Sequence, residues 1–228
     1  TDVRKAIAQS VNTFFYYIGG GYEDFFGLGV EKIVNYAKRF GLGSQTGVDL
    51  AGEAAGFLPT EEWKEKTKGE RWYIGDTYHL AIGQGDLLVT PLQVAIYTSV
   101  FANGGRLYRP HLVKEILTRD DKLVREVETA PIKSDFIDKY NIEVVRQGLR
   151  QTITSGSAAS LGSLPVAVAG KTGSAQWSTK EKTHAWFTGF APYEKPEIVI
   201  TILVEQGGEG SEVAVPIARE VMQWYFNR

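Results

Sequence analysis

Residues 167–178 read AVAGKTGSAQWS, and the placement of one lysine in that stretch governs how the chain is read. Small and β-branched residues lead into Gly170 and predict a strand, yet Lys171 follows directly and is succeeded by Thr172, Gly173 and Ser174. A lysine inside a strand needs an acidic partner or an anionic ligand. Along one strand edge, Lys171, Thr172 and Ser174 can present an ammonium, hydroxyls and a backbone N–H. That set suits a carboxylate and a developing oxyanion, and Gly173 leaves room for a ligand's backbone to approach. A surface turn that carries Lys-Thr-Gly by chance is the competing reading of the tripeptide alone.

Working outward, Val166 to Trp177, His184 to Ala191 and Ile198 to Glu205 are apolar, β-rich runs separated by polar or proline-containing turns, which predicts an antiparallel meander. Val213 to Phe226 then reads as a helix with Val213, Ile217, Val221 and Phe226 near one face, its start bent or shortened by Pro216. Upstream the pattern is mainly helical. Thr1 to Tyr17 reads as two helical pieces broken around Ser10-Val11-Asn12, because short polar side chains favour caps over helix interiors. Leu28 to Phe40 places Val30, Ile33, Val34, Ala37 and Phe40 on one face, with Gly41 as the stop. Thr60-Glu61-Glu62-Trp63 starts a short capped helix, and the KEKTKGER run at 64–71 reads as a solvated, mobile face. Thr90-Pro91-Leu92-Gln93 combines a capping box with a first-turn proline and launches a helix to Ala102, stopped by Asn103-Gly104-Gly105. Leu112 to Val127 predicts a strand pair turning at Asp120-Asp121, and Ser134 to Gln151 an amphipathic helix. Helices followed by strands define an α+β chain, with residues 1–160 mainly a helical lobe and 161–228 antiparallel strands plus a C-terminal helix.

The 228 residues are 43% hydrophobic and 23% charged, with a formal charge of −2, the composition of a soluble globular protein. No basic excess points to nucleic acid. Cysteine is absent, so thiol nucleophiles and thiolate metal sites are excluded. His79, His111 and His184 lie far apart and lack metal-ligand spacing, so no metal is expected, nor any cofactor. The longest apolar run, Ile198 to Val204, is far shorter than the roughly 20 residues of a bilayer span. No signal-peptide pattern opens the chain, and helical spacing begins at its third residue, so a fragment is expected, with any membrane anchor outside it.

The motifs discriminate among three serine and lysine chemistries. A phosphate loop needs a glycine five positions before Gly170, where Pro165 stands, and a helix after it, where the pattern is strand-like. The G-x-S-x-G elbow of α/β-hydrolases is absent. Ser10-Val11-Asn12, the one Ser-x-Asn in the chain, together with Lys171-Thr172-Gly173 supplies two parts of the Ser-x-x-Lys, Ser-x-Asn, Lys-Thr-Gly set shared by penicillin-binding proteins and class A β-lactamases.

On these motifs, and on the ordered segments AIAQSVNTFFY, RFGLGSQTGVDLAGE, FLPTEEW, WYIGDTYHLAIGQGDLLVTPLQVA, AGKTGSAQW and HAWFTGFAP, the chain resembles the elongation-type class B penicillin-binding proteins, the penicillin-binding protein 2 group, over its whole length. The resemblance implies a penicillin-binding transpeptidase, serine β-lactamase-like fold: an antiparallel sheet packed by helices, plus a helical lobe. It implies a D,D-transpeptidase that cross-links D-Ala-D-Ala stem peptides of peptidoglycan during cell-wall elongation and is acylated by β-lactams. Ser10 would belong to the proton relay, with a helix N-cap as its structural alternative; Asn12 would hold the substrate peptide, with a turn or cap role as its alternative. Lys171 would supply positive potential for the terminal carboxylate, Thr172 and Ser174 hydroxyl donors, Gly173 clearance, and the Ser174 N–H one oxyanion donor.

The family's nucleophile lies in a Ser-x-x-Lys motif before Ser-x-Asn, and no serine here has lysine three positions on. The chain is therefore expected to be the C-terminal portion of one transpeptidase domain, without the first strands and the nucleophile helix, inactive alone and prone to self-association through unpaired strand edges. By resemblance it would work at the extracytoplasmic or periplasmic face of the cytoplasmic membrane, tethered by an N-terminal helix, beside membrane proteins of the elongation complex. A β-lactam sensor or inactive homologue is the rival reading. A serine β-lactamase is a third, needing a carboxylate base for which Glu53 and Asp76 stand unplaced. The aromatic patch WYIGDTYHL reads as core packing ahead of groove lining.

Overall fold

A computed structural model describes residues 1–228. The break read at Ser10-Val11-Asn12 separates α1 (Val3–Ala8) from α2 (Asn12–Gly20). Asp2 caps α1 by accepting from the Lys5 N–H at 2.9 Å. α3 (Gly29–Arg39) buries Val30 and Val34 and packs Ile33 and Ala37 beside them, the face its periodicity marks. α4 (Glu61–Lys68) is capped by Thr60, whose hydroxyl accepts from the Trp63 N–H at 3.1 Å.

The charged run at 64–71 differs from its reading. Lys64 is only 6% exposed and its ammonium meets Asp76 at 2.7 Å and Glu70 at 3.5 Å. Asp76 lies on α5 (Ile74–Ala81), a helix the sequence patterns did not show; the pair pins α4 to α5, which is why this lysine leaves solvent. The aromatic patch packs as expected for Trp72, whose indole N–H donates to Thr77 at 2.8 Å, while Tyr73 is half exposed.

The capping box at Thr90 and Gln93 forms as read and starts α6 (Pro91–Ala102). Two small antiparallel pairs follow: β1 (Leu107–Tyr108) with β4 (Pro131–Lys133), and between them β2 (Glu115–Leu117) with β3 (Leu123–Glu126). α7 (Lys139–Ser155) starts and ends a turn later than its predicted bounds because Asp138 supplies the cap, accepting from the Tyr140 N–H at 2.8 Å.

The meander is present as β5 (Ala169–Ala175), β6 (His184–Ala191) and β7 (Ile198–Val204), antiparallel in the order β5-β6-β7. α8 (Ala214–Phe226) closes the chain; Pro216 is its third residue, inside the first turn where no N–H bond is lost, so it neither bends nor shortens the start. The period-2 alternation gives the sheet two covered faces. Ala185, Phe187 and Ala191 join Ala214, Ala218 and Met222 of α8 in the main core, while Ala169 and Phe190 face Ala102 of α6 and Leu149 of α7. Ile153 and Ala158 also enter the main core, so packing crosses the division placed at residue 160. Because Lys171 shares a face with Ala169, its stem runs toward α6 and α7, opposite Thr188 in the register.

Candidate active site

Ser10 sits between α1 and α2 with φ at 51°, a left-handed conformation that non-glycine residues seldom adopt. It is held there by backbone bonds that close α1, the Ser10 N–H donating to Ile7 at 3.3 Å and the Val11 N–H to Ala6 at 3.0 Å. Neither Ser10 nor Asn12 caps α2: its N-cap is Val11, without a side-chain bond. The Ser10 hydroxyl instead accepts from the Lys171 ammonium, a contact between residues 161 positions apart. Lys171 also donates to the Thr172 carbonyl at 2.8 Å.

These groups open onto a pocket of 790 Å³ that also takes in Asn12, Thr172, Gly173 and Ser174, so all six residues expected at the site converge. Ile7, Phe15, Tyr97, Phe101 and Leu149 make an apolar floor. Burial beside that floor raises the Tyr97 phenol above its usual range and lowers Lys171 to about 8, with no carboxylate near enough to hold the lysine charged. The Thr172 hydroxyl pairs with that of Ser157 at 2.6 Å. Below the lysine, Thr188 on β6 bonds Thr98 of α6 at 2.9 Å and Thr201 of β7 at 2.8 Å, tying sheet to helix at the level of Lys171.

Residues the sequence did not single out complete the cleft. Gln84, in the loop between α5 and α6, places its amide along β5 like a strand partner: Nε2 donates to the Ser174 carbonyl at 3.0 Å and Oε1 accepts from the Gln176 N–H at 3.1 Å. Gly83 and Gly85 on either side have φ of 75° and 80°, the backbone needed to turn that side chain outward. The Gly-Gln-Gly pattern is the one signal of it in the sequence. Glu209 lies in the turn before α8 and accepts from the Ser174 hydroxyl at 2.7 Å, so that proton is engaged within the protein, while the hydroxyl oxygen accepts from the Gly210 N–H at 3.2 Å. By contrast, Glu53 is consumed by the loop it caps, accepting from the Thr46 hydroxyl, from the Thr46 N–H at 2.8 Å and from the Gly47 N–H at 3.0 Å, which together hold it below the usual carboxylate range. Asp76 is taken by Lys64 and the Tyr73 N–H. Neither lines the pocket.

A half-buried lysine of lowered pKa is thus bonded to a serine, with hydroxyls and a strand edge beside it, on an α+β scaffold. The profile of the penicillin binding protein transpeptidase domain matches residues 1–223, and the chain belongs to that family. It is 35% identical, over its full length, to the peptidoglycan D,D-transpeptidase MrdA of Haemophilus influenzae, of which it covers 37%. Its fold superposes on Pseudomonas aeruginosa PBP2 in complex with WCK 5153 with a TM-score of 0.84 at 35% identity, covering 99% of this chain and 49% of that one. The PBP2 of Helicobacter pylori, solved as a complex with MreC, gives 0.80 at 34% identity, covering 99% and 40%. The chain thus spans little more than a third of the H. influenzae relative's length.

Proposed function

We propose that the protein is a peptidoglycan D,D-transpeptidase of cell-wall elongation, acting through a serine ester on D-Ala-D-Ala stem peptides. The observation that carries this reading is the bond from Lys171 to Ser10 inside the pocket that also holds Asn12 and the Thr172–Ser174 edge. With its pKa near 8, Lys171 both attracts a terminal carboxylate and exchanges a proton with Ser10 close to neutral pH, the property a relay needs. Thr172 adds a hydroxyl to the carboxylate. The Asn12 amide, uncommitted to capping α2, orients the peptide. The Ser174 N–H is one oxyanion donor, and Gln84, by holding the adjoining carbonyl, fixes the strand that aims it. No serine of this chain precedes a lysine by three positions, so the nucleophile is assigned to a Ser-x-x-Lys segment of the whole protein.

The reading carries with it an extracytoplasmic location at the cytoplasmic membrane and a membrane-associated morphogenetic partner, supported by the H. pylori relative having been solved with MreC. Fluorescent penicillin tests it. The 228-residue chain stays unlabelled, and a version extended upstream through Ser-x-x-Lys is labelled covalently. Labelling of the shorter form, or failure of the longer, overturns the assignment.

A further inference from the structure

Glu209 and Gly210, which hold Ser174, lie in the turn that follows β7, and that turn hangs from the start of β6. Its first anchor is a histidine: the Gln206 N–H donates to Nδ1 of His184 at 3.0 Å. A backbone N–H can only donate, so Nδ1 must carry its lone pair, and the ring is neutral with its proton on Nε2. An imidazolium donates from both nitrogens and cannot accept this bond. We infer that His184 is a positioning residue: its neutral ring locks the 205–210 turn, and with it Glu209 and Gly210, against Ser174, and protonation of the ring opens the lock. The contacts alone carry the lock; its effect on acylation rests on the transpeptidase reading.

The ring is itself fixed. His184 opens β6 opposite Ala175 of β5, and its imidazole stacks on Trp177 with centroids 5.4 Å apart and planes 5° from parallel. The Trp177 indole N–H donates to the Lys182 carbonyl at 3.0 Å, which ties down the platform under the ring. Gln206 has a φ of 54°, a left-handed backbone that a non-glycine residue keeps only where its surroundings hold it. Beyond it Thr183 clips Gly208 twice: its carbonyl accepts the Gly208 N–H at 2.9 Å, and its hydroxyl donates to the Gly208 carbonyl at 2.7 Å. Gly210 then lies so close to β5 and β6 that a Cβ would run into the carbonyls of Gly173 and Trp186. With so little clearance, relaxation at Gln206 is passed on to the Ser174 contacts. The charged residues on the adjoining turns are Lys180, Glu181 and Lys182 before β6, Glu205 and Glu209 after β7, and Glu212 before α8. None of them enters an ion pair of the molecule, and Gln206 is the one hydrogen-bond partner of the imidazole.

Two substitutions separate the charge of the ring from its shape. His184→Asn keeps an oxygen acceptor near the Nδ1 position, does not titrate, and leaves every neighbouring charge in place; His184→Phe keeps the stack on Trp177 and removes the acceptor. In the 228-residue chain, amide hydrogen exchange at Gln206, scaled to its intrinsic rate, quickens about ten-fold between pH 8 and pH 5.5, the range in which imidazole changes charge. That is the size of one net hydrogen bond, and the Ser174 and Gly210 amides follow. The Asn variant shows no such change, and the Phe variant exchanges fast at both pH values. Constant protection in the unsubstituted protein, or a response that persists in His184→Asn, overturns the inference. In the version extended through Ser-x-x-Lys, the rate of fluorescent-penicillin acylation is taken as a ratio to that of His184→Asn, which cancels the contribution of Lys171. This ratio falls about five-fold over the same range. A constant ratio beside a responsive Gln206 amide overturns the effect on acylation alone. Absence of labelling at both pH values overturns the transpeptidase reading, and the amide result then decides the lock.

Discussion

Lys171 is held against its own solvation. Its pKa falls from 10.5 to about 8 because burial disfavours the charged form and no acid compensates. Between those values the unfolded chain binds the proton more tightly than the native protein, so stability rises with pH across that window and carries the full penalty below pH 8. The shift corresponds to an upper figure on the order of 3 kcal/mol. Replacing Lys171 with Met therefore stabilises the fold at pH 7 by about 1–3 kcal/mol, after loss of the Ser10 bond, and flattens the alkaline rise. Urea unfolding at pH 7 and pH 9.5 checks both; an unchanged pH slope in the variant refutes the account. At this scale the sequence was legible where chemistry and motif coincide, as at Ser10, Asn12 and Lys171. It was silent at Glu209, which lies in a glycine-rich turn without periodicity and reaches the site through a close backbone approach.

Elements were legible wherever the signal is local. Capping at Thr60 and Thr90, the break at Ser10, the β5–β7 meander and the apolar face of α3 depend on residues within a few positions of one another. What escaped is non-local. α5 has no clean apolar stripe, since it carries Gly75, Asp76, Thr77 and His79 among its apolar residues, and it is secured by Lys64, twelve positions earlier. The β1–β4 pair joins segments more than twenty residues apart. Gln84 behaves as an element in miniature, one side chain serving as the neighbour β5 would otherwise lack between Ser174 and Gln176. Gln84→Leu keeps the bulk and removes both bonds, and is expected to cost about 1–2 kcal/mol. Hydrogen exchange at the Gln176 amide should accelerate at least ten-fold, with the β6–β7 ladder unaffected. Unchanged protection at Gln176 contradicts the bracing role.

For the molecule as a whole, the exposed area is 13572 Å², whereas a compact monomer of 25.2 kDa shows roughly 10,300 Å². Only 39 of 228 residues are buried, and Phe26 is 94% exposed. Both outer edges of the sheet lack a full strand partner. Gel filtration should accordingly show association that grows with concentration; a compact monomer at every concentration counts against this. That surplus of wetted surface has a thermodynamic reach beyond assembly. A chain that already leaves so much apolar area hydrated when native gains little more on unfolding, so its heat-capacity increment and denaturant dependence fall below the norm for its size. Its free-energy curve is then broad and shallow, resisting temperature change gently rather than collapsing at a sharp midpoint.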